Sequence, residues 1–143
     1  MNSTPFGNIT VLRAVLAGFM TLMGALHFTH AEVFVSVVPN YLPTPLVLVY
    51  VSGICEIACG LGLLFESTRT LAAWGLMALY VAVFPANVHM ALHPDLPLAG
   101  IPPDLRPSAI GLWLRLPFQL VFGYWAYRYT RPLRATSTPP QRR

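Results

Sequence analysis

Among the 143 residues, the side chain best placed to do chemistry is Glu56, which interrupts an apolar run from Leu46 to Phe65. About ten residues into that run, at about 1.5 Å of helical rise each, its carboxyl lies roughly 15 Å deep, near the middle of a bilayer core. A lone carboxylate at that depth is strongly destabilised, so it must be protonated or paired. Other polar groups stand in or beside apolar runs: Arg13, His27, Asn87, His89, Arg115 and Gln119. Such groups are costly within a membrane and usually face the interior of a helix assembly. At about 100° per residue, Glu56 shares a helix face with Val49, Ser52, Gly53, Cys59, Gly60 and Leu63. That face is small and polar, suited to close packing around a buried carboxyl. His27 shares a face with Arg13, Leu16, Met20, Met23 and Gly24, while Arg115 aligns with Phe118, Gln119 and Phe122. Asn87 aligns with Tyr80, Val83 and Phe84; His89 points nearly opposite, so an ideal helix turns only one of the two inward.

Two arrangements follow. In the first, these groups line a ligand-binding pocket open to the exterior: Glu56 is its floor, Arg115 and Gln119 one wall, His27 and Asn87 the rim. In the second, Glu56 and Arg115 form an interior ion pair that fixes helix register. The arginine stem is long enough to bridge about two helical turns of depth, or to snorkel to the outer headgroups. Arg13, near the inner boundary, reads as an anchor. No residue is assigned a catalytic role, because there is no Ser-His-Asp order, phosphate loop or paired-carboxylate motif. His89 and His93 are four residues apart, but no H-E-x-x-H pattern accompanies them, and no metal site is expected. Cys55 and Cys59 lack the redox spacing C-x-x-C and are expected to be free, poorly reactive thiols in an apolar helix.

The elements that must carry these groups are legible from composition. Hydrophobic residues make up 55% of the chain and charged residues 10%, against about 25% charged in a soluble domain. That excludes a disordered chain and argues against an ordinary soluble globule. Four apolar segments approach the ~20 residues of a spanning helix: about residues 10–29, 46–65, 71–90 and 110–127. Pro85 and Pro117 fall inside the last two, where membrane helices tolerate kinks. Glu66 to Thr70 make a short turn, so the second and third segments form an antiparallel hairpin. The other connections are Pro-rich, with Pro39, Pro43 and Pro45 in one and Pro94 to Pro107 in the other. Residues 1–133 are therefore expected to form an all-α integral membrane domain, an antiparallel four-helix bundle. Residues 134–143 are expected to be a disordered polar tail.

All nine basic residues are arginine. They flank the apolar runs as topology signals do, so nucleic acid is not the expected partner; the lipid bilayer is. Arg13, Arg69, Arg128, Arg131, Arg134, Arg142 and Arg143 fall on the side of the termini, and Arg106 and Arg115 on the other. The positive-inside rule then makes this a multi-pass protein with both termini cytoplasmic.

The run Pro39-Asn40-Tyr41-Leu42-Pro43, the piece Ser52-Gly53-Ile54-Cys55-Glu56, the piece Phe84-Pro85-Ala86-Asn87-Val88-His89-Met90 and the closing Trp113-Leu114-Arg115-Leu116-Pro117-Phe118-Gln119 carry a family likeness. Together they resemble the DoxX-like family of small bacterial membrane proteins, over about residues 24–125. The resemblance implies a four-helix bundle of the plasma membrane. It also implies a redox-associated role, since members are linked to thiosulfate and quinone oxidation and to disulfide-related assembly, and some relatives act as assembly helpers.

Three functions are expected in descending order. The first is a redox-associated component that binds a quinone-like or other apolar small molecule near Glu56. The second is a non-enzymatic helper or subunit packed against a membrane protein partner. The third is a lipid-modifying enzyme using Glu56 as acid or base. The topology is checked with reporter fusions: a fusion after Arg134 should report a cytoplasmic C-terminus, and a periplasmic signal overturns the assignment.

Overall fold

The computed structural model describes residues 10–131; the expected tail at 134–143 lies outside them. The described residues are all-helical, with no strand. Helix α1 runs Val11–Thr29, α2 Ala31–Ser36, α3 Pro45–Gly62, α4 Arg69–Leu92 and α5 Ala109–Tyr127, with one 3-10 turn at Pro103–Leu105.

Three of the four long helices, α1, α3 and α5, start where the sequence supplies a start signal. The Thr10 hydroxyl accepts from the Arg13 backbone N–H and caps α1, and the Ser108 hydroxyl accepts from Gly111 N–H and caps α5. Pro45 occupies the first turn of α3, where its missing N–H costs nothing. The residue before it, Thr44, takes φ 49°, a left-handed conformation that β-branched residues rarely adopt. Between α3 and α4 the Thr68 hydroxyl donates to the Gly62 carbonyl at 2.8 Å, tying the end of one helix to the start of the next.

The expected boundaries differ from the observed ones by three residues or fewer, and the differences have local causes. α3 ends at Gly62 rather than at residue 65, and the chain turns through Leu63–Thr68 before α4 begins at Arg69. α2 was not expected. Six residues are too few to display a helical period, yet α2 packs against α1 and α3.

α1, α3 and α4 are long and apolar enough to cross a membrane. α5 is as long as α1, but Arg115, Pro117, Gln119 and its Trp and Tyr residues make it less apolar. Large hydrophobic side chains stand exposed along the helices, among them Val11, Leu71, Val81, Ile110 and Leu120. An aqueous surface of that kind is unfavourable; a lipid-facing one is not.

The main core lies toward the start of α1, where Leu16, Ala17 and Met20 meet Leu63, Ala72, Ala73, Leu76 and Ala126. A smaller cluster of Met90, Ala91 and Leu112 sits at the opposite end. Between them, α1 and α3 approach backbone to backbone. A β-carbon on Gly24 would stand 2.6 Å from the Gly53 carbonyl oxygen, and one on Gly53 would stand 2.7 Å from the His27 β-carbon. One on Gly60 would stand 2.6 Å from the Thr21 hydroxyl and 2.9 Å from the Ala17 carbonyl. These contacts set how far one helix can slide along the other.

Gly24→Val should therefore push α1 from α3 and lower stability by about 1–3 kcal/mol. Gly18 has nothing within 4 Å of an added β-carbon, so Gly18→Ala should be neutral or stabilising by up to about 1 kcal/mol. Thermal unfolding of both variants in detergent checks the contrast; equal losses would refute the close approach.

Candidate functional site

The five expected ligand-binding residues fall into two pairs and a single. The first pair is His27 and Glu56. Gly24 and Gly53 let α1 and α3 close, and that contact brings the His27 Nδ1 to 3.3 Å from Glu56 Oε2. Both side chains are nearly buried, 9% and 12% exposed. The ring nitrogen has a better partner: His27 Nδ1 lies 2.9 Å from the Met23 carbonyl. A carbonyl can only accept, so Nδ1 carries the proton and aims it at Met23. Glu56 Oε2 is left buried without a hydrogen-bond donor among the described residues. The contact between the two groups is thus electrostatic proximity rather than a shared proton. Phe34 of α2 stacks on the other side of the imidazole, with ring centroids 3.9 Å apart.

The second pair is Asn87 and Gln119. Asn87 Nδ2 donates to Gln119 Oε1 at 2.9 Å, and Gln119 Nε2 donates to the Tyr80 carbonyl. The reason lies in Pro85. Without an N–H it gives the Val81 carbonyl no helical donor, and its ring crowds the preceding turn. Gln119 grips α4 on both sides of that proline, at Tyr80 before it and Asn87 after it. This also decides which of two residues turns inward: Asn87 does, while His89 stacks on His93 at 4.4 Å. Tyr80 in turn donates its hydroxyl to Met20 Sδ at 3.1 Å, joining α4 to α1.

Arg115 stands apart. Glu56 and Arg115 do not form the expected ion pair among the described residues; the ionisable group beside Glu56 is His27. Arg115 is exposed and its Nη1 reaches Met90 Sδ at 3.8 Å. The expectation failed because α5 packs against α4 and not α3, whereas Glu56 on α3 faces α1, where the contact of Gly24 with Gly53 brings His27 to it.

A further cluster was not expected. Arg13 is 2% exposed and pairs with Glu66, which also lies 3.6 Å from Arg69 Nε. Arg69 is 6% exposed and donates from Nη2 to the Arg131 carbonyl at 2.9 Å. Arg13 is therefore an interior partner, not a boundary anchor. The start of α1, the turn after α3, the start of α4 and the segment after α5 all meet at this network. The spacing of Glu66 and Arg69, three residues apart in the turn, was the available sequence signal. Cys55 and Cys59 are free thiols, half-buried, and Cys59 lies where a β-carbon on Gly75 would stand 2.6 Å from its sulfur. No group of three metal-ligating side chains is present among the described residues.

The family model described as "Domain of unknown function (DUF8561)" matches residues 16–130. The chain belongs to this family. No curated protein and no solved structure matches. The DUF8561 match covers both polar pairs and nearly all of the helices that hold them.

The interaction energies of the DUF8561 chain follow from this geometry. In a double-mutant series, Glu56→Gln should couple to His27→Gln by about 0.5 kcal/mol or more, while Glu56→Gln and Arg115→Gln should add. Thermal unfolding in detergent measures both; strong coupling to Arg115 would overturn the observed pairing.

Proposed function

We propose that this protein is a multi-pass component of the plasma membrane, a four-helix bundle with both termini cytoplasmic. In this reading α5 is a fourth span, its polar atoms turned to α4 through Gln119. The arginine asymmetry supports the orientation. The likeness to the DoxX-like family, carried by the residues around Glu56, Asn87 and Gln119, supports a redox-associated role.

We further propose that the site at His27 and Glu56 binds a quinone-like small molecule. The observation that carries this reading is Glu56 Oε2, a buried acceptor with no donor among the described residues. An unmet acceptor in an apolar setting is costly, and a ligand hydroxyl removes the cost. His27 adds to the same preference. Its Nδ1–H is committed to Met23, so a neutral ring offers Nε2 as a second acceptor. Glu56, which holds its own proton at this depth beside a neutral ring, can both accept and donate, so the site suits a ligand whose ring carries hydroxyl or carbonyl oxygens. Phe34 over the imidazole supplies an aromatic surface of the kind that packs against a flat ring. Asn87 and Gln119 satisfy each other and the Tyr80 carbonyl, and so tie α5 to α4 around Pro85 rather than serve the ligand.

The test uses purified protein in lipid nanodiscs titrated with a short-chain ubiquinol analogue and with its oxidised quinone. At least one form should bind, and Glu56→Leu, which removes both hydrogen-bonding functions, should weaken it by about tenfold, the value of one hydrogen bond in a buried site. Failure of the wild type to bind either form, or unchanged binding by Glu56→Leu, overturns the proposal. Unfolding of the same variant, read in parallel, separates lost binding from lost fold.

A further inference from the structure

The end of the molecule opposite Phe34 carries an excess of positive charge in its described residues. Among the described residues, Arg13, Arg69, Arg128 and Arg131 stand there against one carboxylate, Glu66. Arg13 and Arg69 are buried, and one glutamate bridges both. Two buried guanidinium groups sharing one carboxylate leave a net positive field, and the buried Arg69 Nε has no hydrogen-bond acceptor among the described residues. Low surrounding dielectric preserves such a field over a longer range than water would.

The neighbouring surface is built to present that field outward. The bond from Arg69 Nη2 to the Arg131 carbonyl holds the Arg131 backbone against the buried network. Arg131 itself is exposed, its guanidinium 5.4 Å from the Tyr127 ring centroid and its Nη2 3.4 Å from the Tyr127 hydroxyl. Arg128 is also exposed, one helical position after Tyr127. Trp125 donates to the Tyr129 hydroxyl at 3.3 Å. Tyr and Trp with polar tips hydrogen-bonded in this manner belong at the level of lipid headgroups. The opposite end has no such excess: Glu32, Asp95 and Asp104 are set against Arg106 and Arg115.

We propose that this end binds the phosphate of an anionic lipid headgroup, with Arg128 and Arg131 as direct contacts and the Arg13–Glu66–Arg69 network as the charge behind them. Guanidinium groups suit this task because they offer forked N–H donors to phosphate oxygens. Basic clusters between membrane helices are known to recruit such headgroups. The inference rests on the reading that the chain spans a bilayer, but not on the ligand at Glu56.

The experiment measures lipid binding to the full chain purified in an uncharged detergent, using native mass spectrometry and thermal unfolding. The probes are phosphatidylglycerol, phosphatidylcholine and inorganic phosphate. Phosphatidylglycerol should bind and raise the unfolding temperature, and the other two should not. The double variant Arg128→Gln, Arg131→Gln should fold, because both side chains are exposed and the Arg131 carbonyl remains for Arg69. Its affinity for phosphatidylglycerol should fall roughly thirtyfold, the effect of two arginine contacts near a surface. Equal binding of both lipids, or an unaltered double variant, overturns the proposal. A rise produced equally by inorganic phosphate assigns the site to a free anion and overturns the lipid. Recovery of the chain in the aqueous rather than the membrane fraction would refute the bilayer reading itself, a result distinct from loss of lipid selectivity.

Discussion

The Gly53 carbonyl faces Gly24 with so little space that a single β-carbon there would stand 2.6 Å from it. Around this point α1 and α3 can adopt one register only. One turn along, His27 meets Glu56; further down, Ala17 and Thr21 receive Gly60. In an apolar medium, burial of hydrophobic surface does little to hold helices together, because lipid tails are as apolar as leucine. Close backbone contact and satisfied polar groups must do so instead. The glycine contact provides the first and sets the geometry of the second.

The remaining polar atoms follow the same rule at three levels of the structure. At one end, guanidinium groups from α1 and α4 share the carboxylate in the α3–α4 turn. Near the middle, the Gln119 amide meets Asn87 and the Tyr80 carbonyl on either side of Pro85. Between α1 and α3 one buried acceptor, Glu56 Oε2, has no donor among the described residues. An unmet buried acceptor is informative, since native proteins keep few of them.

Much of this was readable from residue types and periods. The helix faces were correct: Gly24 with His27 on one, Gly53 with Glu56 and Gly60 on the other. The apolar runs gave the helix bounds to within three residues, and three of the starts lie at local signals, Thr10, Pro45 and Ser108. What the pattern lacked was which helices pack together and in what register, both set by contacts between residues far apart in the chain. That gap is why Arg115 looked like a partner for Glu56. It is also why Arg13 looked like an isolated anchor, when Glu66 lies 53 positions away in sequence and beside it in space. α2 escaped notice for a different reason: a helix of six residues has no period to detect.

The grip of Gln119 on α4 has a consequence for how the molecule is made. α5 emerges after α1, α3 and α4 during synthesis, yet it carries the amide that partners Tyr80 and Asn87 on either side of Pro85. Until α5 arrives, the Tyr80 carbonyl and the Asn87 amide have no such partner. The Arg131 carbonyl that receives Arg69 arrives later still. α1, α3 and α4 therefore form an unfinished assembly whose exposed polar atoms mark where α5 must dock. A chain truncated before Ala109 would retain the glycine contact and the Arg13–Glu66 pair but leave that docking seam open to lipids and to membrane quality-control proteases.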